Sequence, residues 1–332
     1  MLLKGVMSMP TIKDVAKKAN VSVATVSRVI NNTGYVQVET RQMVLDAITE
    51  LGYIPNELAR SLFKKQSKII GLIVPHLSTI FFAELLESLE DHLARHGYKL
   101  MIFNAKDDIE RENKIMHVFN QYNIDGIILV AHTKQTKNYA DLHIPLITID
   151  HKMNEETPSI TSDNQQGGRL AAEKLIASGC KKVLHLQGPS FLLTVLNRNK
   201  GFNETIEKAG IALHTIDLAF VSPDYRLIEQ FIRSHPDADG IFCSTDILAL
   251  HALRALHKMQ RAVPDAVAVI GYDNVELCEL VTPNLTTIDQ PIELIAEAAV
   301  ASLLALIDKK TPEPLHKVMP VKLIERESTK KS

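Results

Sequence analysis

Three aspartates stand where an open α/β sheet would present ligand-binding groups. Asp150 closes the run "PLITID", Asp246 follows "FCST", and Asp273 closes "VAVIGYD". Thr194 and Arg198 lie just beyond "KVLHLQG", and Phe81 and Phe82 follow the first apolar run, in "PHLSTIFF". Carboxylates accept hydrogen bonds from hydroxyls, a guanidinium forks across adjacent oxygens, and an aromatic ring stacks on the apolar face of a sugar or a base. This is chemistry for holding a small polar ligand. Chemistry for transforming one is missing from the sequence: there is no Gly-x-Gly-x-x-Gly after a strand, no phosphate-cradling Gly-Lys-Ser/Thr loop, no His-Glu-x-x-His and no nucleophile elbow. No catalytic residue is therefore expected. The 13 His are scattered without ligand spacing, and the three Cys (Cys180, Cys243, Cys278) are too far apart for a metal cluster or a disulfide framework. No metal and no cofactor are expected. Blander roles stand beside the binding ones. Asp150 and Asp163 can satisfy backbone donors at strand ends, Asp246 can cap the helix "ILALHALRAL", and Phe82 can begin a core stripe.

A second group of polar residues sits near the N-terminus. In "TIKDVAKKANVSVATVSRVI" (11–30), Thr11 can cap a helix whose inner face is Ile12, Val15, Ala16 and Ala19, with Asp14 completing a capping box. Asn20 and Val21 make a tight turn. Ser22 caps a second helix with Val23, Val26 and Ile30 inward, and Ala24, Thr25, Ser27 and Arg28 outward. Thr25, Ser27 and Arg28 are donors suited to base edges and phosphates. A third amphipathic segment, 38–53, carries Val44, Leu45, Ile48 and Leu51 on its apolar stripe. Three such helices predict a helix-turn-helix domain. Charge agrees: residues 1–68 hold ten Lys/Arg against five Asp/Glu, and the remainder holds 27 against 34. A basic head on an acidic body suits a segment that meets a polyanion.

Asn56 can cap a short helix, too short to be stable alone, running to about Phe63 before the polar tail "KKQSK". Such an element orders only when something packs on it, and Leu62 and Phe63 would be its apolar side chains. Beyond it, apolar runs alternate with amphipathic helices: 68–74, 99–104, 126–130, 145–150, 182–188, 240–244 and 267–273. Between the first two runs, Phe82, Leu85, Leu86, Leu89 and Leu93 form a helical stripe. Near-continuous apolar strands with crossover helices predict parallel, doubly wound sheets that bind ligands at their carboxyl ends. None of the apolar runs is long enough to span a bilayer and the first residues lack a leader pattern, so the expected location is the cytoplasm, with no membrane partner. Residues 1–10 read as an extension, since Met9 could equally begin the chain.

"TIKDVAKKANVSVATVSRVINN", "LGYIPNELARSL" and "IGYDNVELCELVTPNLTTIDQP" together resemble the signatures of the LacI/GalR family of bacterial transcription regulators, over about Thr11 to Glu327. The resemblance implies that Val23, Ala24, Ser27 and Arg28 sit on a recognition helix in the major groove, with Ser22 and Thr25 beside them. It implies that Thr11, Lys13, Tyr53 and Asn56 anchor the DNA backbone. Ala59, Arg60 and Leu62 match a hinge helix whose Leu wedges into the minor groove. Two hinges must meet there, so a homodimer on a near-palindromic operator is expected. Phe63 departs from the polar or basic residue common at its position. In the body, Asp150, Thr194, Arg198, Asp246, Asp273 and Gln290 correspond to positions that line an effector cleft, with Phe81 and Phe82 nearby. Thr245 stands where relatives commonly have Asn.

The implied architecture is an all-α helix-turn-helix head (11–55) and a hinge helix with linker (56–67), followed by an α/β body of two Rossmann-like lobes resembling periplasmic binding proteins. One lobe is 68–162 plus 291–319, and the other 163–290 plus 320–332. The implied function is repression of a carbohydrate-utilisation operon, released by a small neutral sugar between the lobes. Alternatives are a co-repressor mode with a purine or protein co-regulator, and a sugar-binding protein without DNA function.

Overall fold

The computed structural model describes residues 10–54, 66–106, 108–130 and 143–330. Asn56, Ala59, Arg60, Leu62 and Phe63, and with them the expected hinge helix, lie outside the described residues. The chain divides into two units, Met1–Ser67 and Lys68–Ser332.

In the first unit, α1 (Ile12–Lys18), α2 (Val23–Asn31) and α3 (Val38–Leu51) close around Val15, Ala16, Ala19, Val26, Val29, Val44 and Ala47. Asp14 Oδ2 accepts from both the Thr11 N–H (2.8 Å) and the Thr11 hydroxyl (2.7 Å), which holds its carboxyl below the usual carboxylate range. Asn20 turns the chain through the left-handed region at φ 52°. Ser22 Oγ accepts from the Thr25 N–H at 3.1 Å and so starts α2. The inner faces differ from expectation at two residues. Val23 is 41% exposed and Leu45 43% exposed, while Val29 and Ala47 are buried. At about 100° per residue the core centre of α2 falls between Val26 and Val29, roughly a quarter-turn from Val23, and Leu45 lies about 100° from Val44.

The second unit holds two six-stranded sheets. In the first, β1 (Ile69–Val74), β2 (Lys99–Asn104), β3 (Gly126–Leu129), β4 (Leu146–Ile149), β5 (Ser159–Ser162) and β11 (His316–Met319) run parallel in the order β11-β5-β4-β3-β1-β2. The second contains β6 (Lys182–Gln187), β7 (Ala212–Asp217), β8 (Gly240–Cys243), β9 (Ala268–Asp273), β10 (Thr286–Asp289) and β12 (Lys322–Ile324) in the order β12-β10-β9-β8-β6-β7. Here only β12 is antiparallel to its neighbour. Helices α4 (Ile80–Arg95), α5 (Ile109–Tyr122), α6 (Asn164–Ala177), α7 (Leu193–Lys208), α8 (Tyr225–Arg233), α9 (Asp246–Lys258), α10 (Leu277–Leu280) and α11 (Ile292–Ile307) connect them.

The apolar run "IIGLIV" is buried from its second residue onward because helices cover the parallel sheet on both faces. β5, β7, β10, β11 and β12 were absent from the expected strands. β7 alternates half-buried and exposed at a sheet edge, β5 reads "SITS", and β11 and β12 have four and three residues. None of them carries the continuous apolar signal of a central strand.

In both sheets the order around the first strand is 2-1-3, which opens a crevice at the carboxyl ends where the winding direction reverses. The chain leaves the first sheet after β5 into α6, re-enters it from β10 through α11 to β11, and leaves again into β12. α6 and α7 touch through their backbones. A Cβ on Gly168 would stand 2.0 Å from the Arg198 carbonyl oxygen, and one on Gly201 1.9 Å from that of Gln165. No other residue type permits this approach.

Candidate functional site

The carboxyl ends of both sheets open on one cavity of about 450 Å³. The segment after β1 contributes His76, Phe81 and Phe82, and Asp150 comes from the end of β4. From the second sheet come Thr194 and Arg198 on α7, Phe220 after β7, Asp246 at the start of α9, Asp273 and Gln290. All eight residues expected at an effector cleft line this cavity, yet their environments divide them.

Arg198 is 4% exposed and its guanidinium is held on three sides. Nη2 and Nε donate to Asn164 Oδ1 at 2.7 and 3.2 Å, Nη1 donates to the Ser244 carbonyl oxygen, and the plane lies 3.3 Å from the centre of the Tyr272 ring. Three of its five N–H groups are committed to Asn164 and Ser244, and Tyr272 also hydrogen-bonds it. Asp273 is 7% exposed and accepts from Gln290 Nε2 at 2.7 Å. Burial pushes its carboxyl well above the usual range, against the pull of Arg198. Asp150 sits at φ 67° with its Oδ1 sealed from solvent and unpartnered, as is Gln290 Oε1. Two unpartnered acceptor atoms are thus buried around the guanidinium.

Burial raises the Asp150 carboxyl to about 6, with Arg198 opposing. Between its ordinary value and about 6 the folded protein holds this proton more tightly than the unfolded chain. The resulting cost to the native state is absent at low pH and complete above about 6, at roughly 3 kcal/mol. A ligand hydroxyl donating to the ionised carboxylate offsets that cost. Ligand affinity is therefore expected to be flat above pH 7 and to fall by up to about tenfold per pH unit below about 6, measurable by calorimetric titration from pH 8 to 5. Affinity that rises on acidification would contradict this.

Asp246 behaves differently. It is fully buried, with Oδ1 accepting from the Thr287 hydroxyl at 2.6 Å and Oδ2 from the Val275 N–H at 3.0 Å. The helix cap is Thr245, whose side chain accepts from the Leu248 N–H, so Asp246 fastens β9 and β10 to α9 instead of capping it. Asp163 caps α6 through the Gln166 N–H. Of the two phenylalanines, Phe81 is the core residue and Phe82 the half-buried one, their rings edge-to-face at 5.4 Å. The buried stripe of α4 runs Phe81, Leu85, Leu89, Leu93 at intervals of four.

Several residues at the site have no motif in the sequence. Phe191 and Phe220 add aromatic wall, and Phe220 lies so close over Gly188 that a Cβ there would stand 2.0 Å from its ring. Asn164 and Tyr272, which hold Arg198, meet it from α6 and β9. The tyrosine was legible only as the neighbour of Asp273 in "GYD". His185, behind Arg198, is buried among Phe202 and Phe242 and is held neutral, its imidazole pushed down to about 3 mainly by burial.

In the head, Ser22, Val23, Ala24 and Arg28 are exposed on α2, and Thr25 and Ser27 half-buried. Ser27 Oγ accepts from Asn31 Nδ2 at 3.2 Å. Lys13 is exposed, while Tyr53 packs on the head core. Arg28 on α2 and Lys13 on α1 thus place cationic groups at the surface of neighbouring helices. Among the described residues no cluster of three or more His, Cys, Asp or Glu could hold a metal, and no helix is long and apolar enough to cross a membrane.

Residues 11–56 match the model of bacterial regulatory proteins of the lacI family, and residues 172–329 that of a periplasmic binding protein-like domain. The ribose operon repressor of Halalkalibacterium halodurans is 38% identical over 323 residues, covering 97% of this chain and 98% of that one. A periplasmic binding protein/LacI transcriptional regulator from Alkaliphilus metalliredigens, solved with D-xylulofuranose, is 34% identical with a TM-score of 0.74, covering 80% of this chain and 100% of that one. The lac repressor dimer, solved on its operator with an anti-inducer, is 26% identical with a TM-score of 0.86, covering 97% of this chain and 99% of that one.

Proposed function

Since the chain belongs to the LacI family of bacterial regulatory proteins, we propose that it is a cytoplasmic, homodimeric repressor of a carbohydrate-utilisation operon, released from a near-palindromic operator by a neutral sugar. The observation that carries the effector class is the buried set around Arg198: two carboxylates, the free Gln290 oxygen and phenyl rings with, among the described residues, one cation. A sugar hydroxyl both donates and accepts, so it can serve an unpartnered carboxylate oxygen and a guanidinium N–H together. A phosphosugar would face Asp150 and Asp273 with, among the described residues, a single Arg to offset them. A ring of Phe82 or Phe220 would cover the apolar face of the sugar. Asp150, Asp273, Arg198, Gln290 and Thr194 are the proposed polar contacts, and Asp246 a wall that fixes the neighbouring loops.

On the DNA side, Val23, Ala24, Ser27 and Arg28 are the proposed readers, with Ser22, Thr25, Thr11, Lys13 and Tyr53 against the sugar-phosphate backbone. Residues 56–67 are the proposed hinge and linker. The proposed lobes are 68–162 with 291–319, and 163–290 with 320–332. Arg28→Ala is expected to cost roughly 1–3 kcal/mol on the selected sequence and much less on scrambled DNA. Fluorescence anisotropy on a duplex selected by the protein from random sequence makes the comparison, and an equal loss on both duplexes would remove Arg28 from the readers.

A thermal-shift screen of the DNA-free protein against neutral sugars, sugar phosphates and purines tests the effector class. At about 100 times its Kd a ligand adds roughly 2.7 kcal/mol, a shift of several degrees. A shift with neutral sugars, followed by loss of operator binding, supports the proposal. A shift with sugar phosphates or purines alone, or tighter operator binding with sugar, overturns it.

A further inference from the structure

Asn164 stands where the chain passes from one sheet to the other. Ser162 ends β5 in the first sheet, Asn164 begins α6, and its Nδ2 donates back to the Ser162 carbonyl oxygen at 3.1 Å. Its Oδ1 accepts from Arg198 twice and from the Tyr272 hydroxyl at 3.3 Å. Arginine offers only donors, so the amide has one orientation here: oxygen to the guanidinium, nitrogen to the crossover. The last return between sheets lies alongside, with the Asp163 N–H donating to the Met319 carbonyl oxygen at 2.9 Å. Asn164 is 4% exposed and lies outside the lining of the cavity. The glycine contacts bring the backbones of α6 and α7 together beside Asn164 and Arg198.

We propose that Asn164 is a positioning residue that ties Arg198 to the crossover between the lobes, so that a sugar gripping Arg198 is felt as a change of lobe angle. This rests on the reading of Arg198 as a sugar contact. The two ends of the amide do separate jobs. The oxygen holds the guanidinium for the ligand, and the nitrogen carries the link to β5. Removing the second end while keeping the first should cost the operator response more than it costs binding.

Asn164→Asp does this. It keeps acceptors for Arg198 and Tyr272 and turns an oxygen, in place of a donor, toward the Ser162 carbonyl. The full-length protein is titrated with the neutral sugar giving the largest thermal shift, and its operator Kd is measured with and without that sugar at saturation. The wild-type ratio is expected at about tenfold or more, within the usual range of coupling between sites. For Asn164→Asp the operator ratio is expected near one, a larger factor lost than any loss in sugar Kd titrated on the same protein. A variant that binds sugar and still releases the operator overturns the proposal. So does one that loses sugar binding, since Asn164 would then be only a prop for Arg198. If far-UV circular dichroism shows Asn164→Asp unfolded, Asn164→Ser, which shortens the tether at both ends, must lower the operator ratio more than sugar affinity. Equal losses overturn the proposal. A wild-type ratio of one with every sugar refutes the sugar reading itself and the inference with it, an outcome visible before any variant is made.

Discussion

Arg198→Ala is expected to abolish sugar-dependent release: sugar Kd rises about thirtyfold or more, and the operator stays bound at sugar concentrations that free the wild type. Truncating a buried, hydrogen-bonded charge costs roughly 2–5 kcal/mol, because its partners are left behind. Here the Asn164 oxygen and the Ser244 carbonyl lose their donor, and Asp150 and Asp273 lose the nearby positive charge that opposes their upward drift. Without it each carboxyl moves further toward its neutral form, and the acceptors for sugar hydroxyls weaken together. Arg198→Lys separates charge from geometry. Lysine restores a cation but neither forks onto Asn164 nor stacks flat on Tyr272, so rescue should be partial. Calorimetric titration of both variants decides, and an Arg198→Ala protein that binds sugar within tenfold of wild type would move the ligand elsewhere in the cavity.

Gly201→Ala is expected to have the largest effect on stability. The new Cβ meets the Gln165 carbonyl oxygen at 1.9 Å, and that atom belongs to a helix backbone that cannot swing aside. Relief requires α6 and α7 to separate, which opens the core beneath them around Ala171, Leu175 and Phe202. Overpacking of this kind costs roughly 3 kcal/mol, a fall in Tm of about 5 °C for a body of this size. Arg198 rides on α7, so sugar affinity should fall in the same variant. Scanning calorimetry of the full chain measures the first effect, and an unchanged Tm would mean that the helix pair is looser than the contact implies. Gly188→Ala makes a useful contrast, because its clash is with the Phe220 ring, a side chain able to turn away. Its expected effect is on the cleft wall more than on stability.

The head was legible because its signals are local. Thr11 with Asp14, Ser22 with Thr25, and the left-handed turn at Asn20 are interactions within four residues, and each formed where the spacing put it. Val23 and Leu45 were misassigned because a coarse stripe admits residues about a quarter-turn off the core centre, and only packing against the other helices says which face in. The central strands β1, β3, β4, β6, β8 and β9 declared themselves by apolar runs, which burial on both faces demands. The edge strand β2 was read from "KLMIFN", but β5, β7, β10, β11 and β12 were not, because an edge position or a short polar run needs no such composition.

The sequence by itself determined the order of head, linker and alternating body, and the strand-end positions of Asp150, Asp246 and Asp273. Helix period, caps and burial on both faces of a strand are set by neighbours along the chain. Only the tertiary structure decided what each strand-end residue does. Asp246 finds Thr287 41 positions away and becomes part of the scaffold, while the Oδ1 of Asp150 is buried at the cavity without a partner. Arg198 reaches Asn164 across 34 residues and Ser244 across 46. Whether a polar group is satisfied depends on which distant atoms the packing brings to it, and no local spacing carries that information.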